Sequence, residues 1–177
     1  MARLGVMGCA ALALLAMAVP ALAEDAKPEM EVIGDIGGVP IKAAVQTFGP
    51  IRVVGPFSRS TNPGAHVAGV YMKLENTSDK EIRLLNAATD AARDVLLHDM
   101  PMIEGVVTMT PVSEGIPIPA HGRIDLHPGG YHIMLSGLVK PLQPGRNFPM
   151  TLAFSDGTKA DLSVNVWDIQ QLQITTQ

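Results

Sequence analysis

The feature that most constrains this chain is a series of short apolar segments between Ile51 and Ile169, each bounded by Gly, Pro, Asp or Asn. In residues 162–167 the apolar side chains occupy every second position, which is the period of a strand with one buried face. No segment carries the periodicity of a long helix. Short strands at this spacing, with turn residues between them, predict an all-β domain that closes as a sandwich or barrel.

The N-terminal residues follow a different pattern. Arg3 precedes the apolar stretch Val6–Val19, and the small residues of Ala21-Leu22-Ala23 follow it. This order is typical of a secretory signal peptide, here residues 1–23 with cleavage after Ala23. The apolar stretch is too short to span a bilayer comfortably, so we expect a secreted protein rather than an anchored one.

Cleavage at that point would remove Cys9, the only cysteine of the chain. The mature domain would then hold no thiol and no disulfide, and its stability would depend on its core. Gly8-Cys9 weakly resembles a lipoprotein attachment site, but it lies inside the apolar stretch rather than after it. The formal net charge of −4 argues against nucleic acid or an anionic membrane as partner.

The remaining chain divides by composition into three parts. Residues 24–48 begin with charged residues and proline and continue with several glycines, which predicts a flexible N-terminal lead-in, with a possible short strand over Val39–Val45. Residues 49–169 form the predicted β-domain. Residues 170–177 form a polar tail that we expect to be loosely held.

Histidine and methionine cluster within the predicted β-domain. His98 ends one apolar segment, and Met109 lies one hairpin further along. His132 and Met134 are two residues apart, so in a strand their side chains project from the same face. Gly129-Gly130 predicts a bend that places this pair at a strand end, where we expect partly exposed side chains. Neighbouring hairpins can therefore bring all four residues to one end of the domain.

These four side chains suit one class of metal ion. Thioether sulfur is soft, neutral and never protonated at biological pH, so it favours Cu(I) over Mg²⁺, Ca²⁺ or Zn²⁺, and imidazole adds nitrogen donors. A blue-copper site requires a cysteine ligand, which the mature chain lacks. Methionine is also an ordinary core residue. From the residues alone, a Cu(I) site and a metal-free structural or interaction β-sandwich domain both remain open.

The spacing resembles the signature of the periplasmic copper chaperone family PCu(A)C, which is His, ten residues, Met, twenty-one residues, His, one residue, Met. Ten residues separate His98 from Met109, and twenty-two separate Met109 from His132, one more than the signature. We expect the additional residue in the Ser113–Gly122 loop, which is rich in Gly and Pro. The similarity covers roughly residues 51–166.

This resemblance implies a cupredoxin-like Greek-key β-sandwich in the periplasm that holds one Cu(I). It implies the ligands His98, Met109, His132 and Met134. It also implies delivery of copper towards the CuA centre of cytochrome c oxidase, with subunit II of the oxidase or a Sco-type protein as recipient. We expect a monomer that is not an enzyme, because four filled coordination positions leave none for a substrate. A copper-dependent oxidase is the weakest alternative.

The other histidines and methionines have simpler interpretations. Met100 and Met102 flank the cluster and could shield the ion or take it in transit. The histidines outside the signature are expected to be solvated, and Met72 is expected to lie in the core. The histidines concerned are His66, His121 and His127.

Overall fold

In a computed structural model that describes residues 29–36, 39–103 and 105–168, the chain forms fourteen strands and, within those ranges, no helix. Nothing in the described part of the chain is a helix able to cross a membrane. The strands are β1 Glu29–Ile36, β2 Val39–Phe48, β3 Ile51–Arg59, β4 Val67–Asn76, β5 Ile82–Ala88, β6 Ala92–Asp99, β7 Met102–Ile103, β8 Val106–Val107, β9 Thr110–Pro111, β10 Ile116–Ile118, β11 Arg123–Leu126, β12 His132–Leu138, β13 Asn147–Phe154 and β14 Lys159–Trp167.

Twelve of these strands belong to one hydrogen-bonded sheet, whose main path runs β10-β5-β13-β14-β3-β4-β12-β6-β9. Strands β1 and β2 join this path through β3, and β11 joins it through β4. All pairings are antiparallel except that of β14 with β3. Some strands that follow each other in the chain, such as β4 and β5, are separated in the sheet. The chain therefore crosses between its two halves, as in a Greek-key sandwich.

The core lies on one face of this sheet. Leu84 and Leu152 come from β5 and β13, whereas Val70, Ile133 and Leu135 come from β4 and β12, and all five side chains are fully buried in one apolar cluster. Because these strands lie at different ends of the path, the sheet must curl to bring them together. Each such side chain stabilises the fold by about 1.5–3 kcal/mol. The predicted all-β class is confirmed.

Where the structure describes the lead-in predicted over residues 24–48, it forms two strands, and the possible short strand over Val39–Val45 is part of β2. Strands β1 and β2 pair with each other, and β2 pairs with the first half of β3. The reason is the free edge of β3, since β14 pairs only with residues 57–59 and leaves the edge of 51–54 for β2. Ala43, Val45 and Val54 bury a small apolar cluster there. The predicted signal peptide and the predicted tail, residues 170–177, lie outside the described residues.

A bulge in β3 changes which side chains face outward. The register between β3 and β4 shifts between Val54 and Phe57, and Gly55 in this bulge has a φ of +57°, a conformation that glycine adopts without strain. After the bulge, Phe57 pairs with Tyr71, while Ser58 and Val70 face the core. The bulge therefore places an aromatic pair on the outer face.

Candidate metal centre

Two of the predicted ligands pair directly across neighbouring strands. In the antiparallel ladder of β6 and β12, His98 lies opposite His132, and Met134 lies opposite Leu96. Leu97 and Ile133, which alternate with these residues, point into the core. His98, His132 and Met134 therefore share the outer face of the sheet. The fold brings three of the four residues into one patch.

The two imidazole rings lie against each other. Their centroids are 5.8 Å apart and their planes meet at 73°. The residues are only 8% and 4% exposed, although they stand on the outer face at the ends of their strands. The expectation of partly exposed ligands therefore fails for His98 and His132, because each ring covers the other. It holds for Met134, which is half-buried.

A backbone carbonyl holds one ring nitrogen of His132. Its Nδ1 lies 2.9 Å from the carbonyl oxygen of Gly130. A carbonyl can only accept, so Nδ1 carries a hydrogen and donates it. The bend at Gly129, which has a φ of +90°, brings this carbonyl to the ring. Such a bond to the second nitrogen is the usual way in which a protein orients a metal-binding histidine.

His98 has a buried nitrogen without a partner. Among the described residues, its Nδ1 is the buried side-chain nitrogen or oxygen that no hydrogen bond satisfies. Leaving such an atom unpaired costs about 1–3 kcal/mol, and a metal ion bound there would remove the deficit. Burial lowers the pKa of His98, and the neighbouring His132 lowers it further. The ring is therefore neutral near pH 7, the form that binds metal.

Met109 occupies the segment beside His98 on the other side. Strand β9 pairs with the end of β6, with Pro111 opposite His98 and Thr110 opposite Asp99. Met109 immediately precedes this pairing and is 46% exposed. The His pair therefore has Met134 on one side along the strands and Met109 on the other. Met109 is the most accessible of the four predicted ligands.

A row of aromatic rings ends at this pair. Trp167 stacks on Phe57 with centroids 4.7 Å apart, Phe57 lies 5.3 Å from Tyr71, and Tyr71 lies 6.4 Å from His132. The row crosses β14, β3, β4 and β12 on the outer face. Alternation in each strand indicates that Tyr71 and Trp167 face outward, but it carries no information on which strands are neighbours.

Gly69 makes room for the ring that covers His132. A Cβ atom at this position would collide with the Tyr71 hydroxyl. Tyr71 therefore lies across the strand over Gly69, the residue opposite Met134. Burial raises the pKa of Tyr71, so its hydroxyl is neutral at physiological pH.

The remaining histidines lie apart from this patch. His66, His121 and His127 are exposed, as the sequence predicted, and His121 pairs with Asp79 at 2.7 Å. Over the part of the chain that the structure describes, no three side chains of His, Cys, Asp or Glu come together as a possible metal site.

Comparison with known proteins places this chain in a family. The family model "Putative lipoprotein LpqE-like" matches residues 51–166. The chain belongs to this LpqE-like family. It is 35% identical over 105 residues to "Putative lipoprotein Lxx21020" of Leifsonia xyli subsp. xyli, covering 59% of this chain and 63% of that protein, and so spans less than two thirds of it. It is 30% identical over 133 residues to "Uncharacterized protein RP573" of Rickettsia prowazekii, covering 72% and 69%.

Solved structures similar to this LpqE-like protein include copper-binding domains. The "Copper-bound PCuAC domain from PmoF2" has a TM-score of 0.60 and 25% identity, covering 70% of this chain and 97% of that one. The "Solution structure of CuI-DR1885 from Deinococcus radiodurans" has a TM-score of 0.54 and 30% identity, covering 70% and 80%. The similarity to PCu(A)C proteins and the cupredoxin-like β-fold predicted from the sequence are thus confirmed.

Proposed function

We propose that this LpqE-like protein is a copper chaperone that carries one Cu(I) on His98, Met109, His132 and Met134. The observation that carries the proposal is the His pair, in which the buried Nδ1 of His98 has no partner and the Nδ1 of His132 is held by the Gly130 carbonyl oxygen. The similarity to copper-binding PCu(A)C domains supports the same conclusion.

The donor chemistry supports copper in its reduced state. Two imidazoles and two thioethers are neutral, so they hold a monovalent soft cation without a buried countercharge. Harder ions such as Zn²⁺ gain little from the thioethers of Met109 and Met134. No donor in this set can be lost to a disulfide in an oxidising compartment.

The same geometry favours transport over catalysis and over a purely structural role. Four donors fill the coordination of Cu(I), so the proposal includes no open position for a substrate and no turnover. The exposure of Met109 gives a recipient protein access to the ion. In a metal-free structural domain, the unsatisfied nitrogen of His98 would be a cost without a function.

The proposal extends to destination and compartment. A periplasmic location, a monomeric state and delivery towards the CuA centre, through oxidase subunit II or a Sco-type protein, are supported by the PCu(A)C resemblance and by the signal-peptide pattern of residues 1–23. Mixing the Cu(I)-loaded protein with an apo-CuA domain or an apo-Sco domain tests delivery. Copper should appear on the recipient faster than it dissociates into a chelator.

The decisive test is a Cu(I) titration of the mature protein against a calibrated competing chelator. We expect one Cu(I) per chain and an X-ray absorption spectrum with both nitrogen and sulfur in the first shell. Zn²⁺ should bind far more weakly. Absence of Cu(I) binding, or a shell of nitrogen and oxygen alone, would favour the metal-free structural domain instead.

A further inference from the structure

Strand β6 does not end at His98 but continues into a two-stranded ribbon. The backbone N–H of Val112 donates to Leu97 O at 2.8 Å, and the N–H of Thr108 donates to Pro101 O at 3.0 Å. Strands β7 and β8 at the tip pair in the same register. Residues 97–103 and 105–112 therefore pair in one antiparallel register, and we call these two segments the Met ribbon.

This register places Met100 directly opposite Met109. Hydrogen bonds join residues 97 with 112 and 101 with 108, and Asp99 pairs with Thr110. Residues 100 and 109 face each other between the 99–110 pair and the 101–108 pair. Theirs is a non-hydrogen-bonded position, where facing Cα atoms are about 4.5 Å apart and side chains approach most closely. Pro101 has no N–H to complete its pair, which interrupts the regular ladder there. The two thioethers therefore share one face at one level of the ribbon.

That level is the one next to the His pair. Met100 follows His98 by two residues on the same strand, so it stands on the same face. Met109 is the diagonal neighbour of His98 across the ribbon, at about 7–8 Å between Cα atoms. Two residues along one strand span about 6.6 Å. Met100 is thus at least as close to His98 as Met109 is, and it is half-buried where Met109 is exposed.

We infer that Met100 is a further copper donor, so that the cargo is shared between two facing thioethers. The inference rests on the proposed function and extends it. Exchange of Met109 for Met100 at the ion involves no proton and no change in net charge, since both donors are neutral. When Met109 turns to a recipient protein, Met100 keeps the ion coordinated. The pair thereby lets copper leave by ligand exchange rather than by dissociation.

The Met ribbon contains its own control. Met102 lies on the same face as Met100, opposite Val107, and is 72% exposed. It is four residues from His98, which corresponds to about 13 Å along a strand. A thioether at that distance cannot share an ion with the His pair. Met102→Leu makes the same chemical change in the same ribbon without touching the site.

The first experiment measures Cu(I) affinity by competition with bicinchoninate for four variants. These are Met100→Leu, Met109→Leu, the double variant and Met102→Leu. If the two thioethers substitute for each other, each single change lowers affinity by less than about tenfold and the double change lowers it by at least about 100-fold. Met102→Leu should bind as the parent does. A double variant no weaker than Met109→Leu alone overturns the inference.

The second experiment reads the donors directly, in parent protein whose methionine methyl groups carry ¹³C. Addition of one equivalent of Cu(I) should shift the methyl signals of Met100, Met109 and Met134 and leave that of Met102 in place. If Met109 and Met134 shift while Met100 does not, the inference is wrong and the chaperone proposal stands. If the parent binds no Cu(I), the proposed function itself fails. Matching thermal unfolding curves exclude misfolding of the variants.

Discussion

His98 and His132 combine two properties that ordinary core histidines do not share. Both are buried, yet the ring of His98 leaves one nitrogen unsatisfied, and a backbone carbonyl fixes the ring of His132 through its Nδ1. A structural histidine normally satisfies its ring nitrogens with protein groups, because an unpaired buried polar atom destabilises the fold. The pair is therefore arranged for a ligand rather than for stability.

The burial of His98 predicts a specific pH response. Its pKa in the apoprotein should lie below the ordinary value of 6.5, mainly through desolvation and also through His132. The unfolded chain then takes up the proton more readily than the folded chain. The contribution of the neutral His98 ring to the free energy of unfolding is thus complete above about pH 6.5. It is lost as the pH falls from there towards the lowered pKa of His98.

An NMR titration of the imidazole signals measures this pKa. His132→Asn should raise the pKa of His98 only part of the way back to 6.5, because burial is the larger cause of its lowering. A pKa of His98 at or above 6.5 in the parent would contradict the buried, neutral ring.

Met134 separates the site from the core. Met134→Leu keeps nearly the same volume, so the free energy of unfolding should fall by less than about 1.5 kcal/mol. Cu(I) affinity should fall by about tenfold or more, because a thioether donor is lost. Chemical denaturation and a chelator competition assay measure the two effects.

Met72→Leu is the matched control, since Met72 is 3% exposed in the core. It should leave copper binding unchanged while altering stability by a similar amount. Equal copper binding by Met134→Leu and the parent would remove Met134 from the ligand set.

Register controls function at the level of the strands. The pairing of β6 with β12 puts His98, His132 and Met134 outward, and a slip by one residue would turn them into the core. The bulge at Gly55 has a similar role in β3, where it aligns Phe57 with Tyr71 beside His132. The patch thus depends on pairing at β3, β4, β6, β9 and β12, and β1 and β2 do not contribute to it.

Removal of β1 and β2 should therefore weaken the fold but not the site. A chain that begins at residue 49 loses the burial of Val45 and Val54, which predicts about 3 kcal/mol less stability. The partly exposed ion pairs Arg52–Glu29 and Lys73–Glu31 add little. Cu(I) affinity should stay within about threefold of the longer chain. A chelator competition assay on both chains tests this, and a large loss of affinity would tie the N-terminal strands to the site.

On the scale of the whole molecule, core and site occupy opposite faces of one curled sheet. Leu97 and Ile133 pack inward between the residues that carry the outward site, so cargo can come and go without reorganising the core. This arrangement suits a carrier, because loading need not change the fold. It also places the Met ribbon where a recipient can reach it.

Processing of the whole chain is testable by mass. Protein recovered from the periplasm should have the intact mass of a chain beginning at Glu24, because the pattern of residues 1–23 predicts cleavage after Ala23. A lipid-modified Cys9 is the contrasting outcome. A mass that includes lipid, or that of the full-length chain, would show the processing site to be wrong.

The sequence alone determined the all-β class and the chemical set of candidate donors. Alternation is a local property of the extended backbone, so it predicted β14 and the shared face of His132 and Met134 without any knowledge of the fold. The His-Met spacing likewise identified the PCu(A)C resemblance before any tertiary structure was known. The sequence suggested only a possible short strand in the lead-in, because β1 and β2 form on an edge of β3 that only the assembled sheet exposes.

The tertiary structure alone decided that His98 pairs with His132 and that the Nδ1 of His98 is buried without a hydrogen-bond partner. It also placed Tyr71 beside His132. These facts depend on which strands are neighbours, and strand order is set by the packing of the whole core rather than by any local pattern. Sequence therefore supplied the donors, and the non-local pairing of strands assembled them into a site.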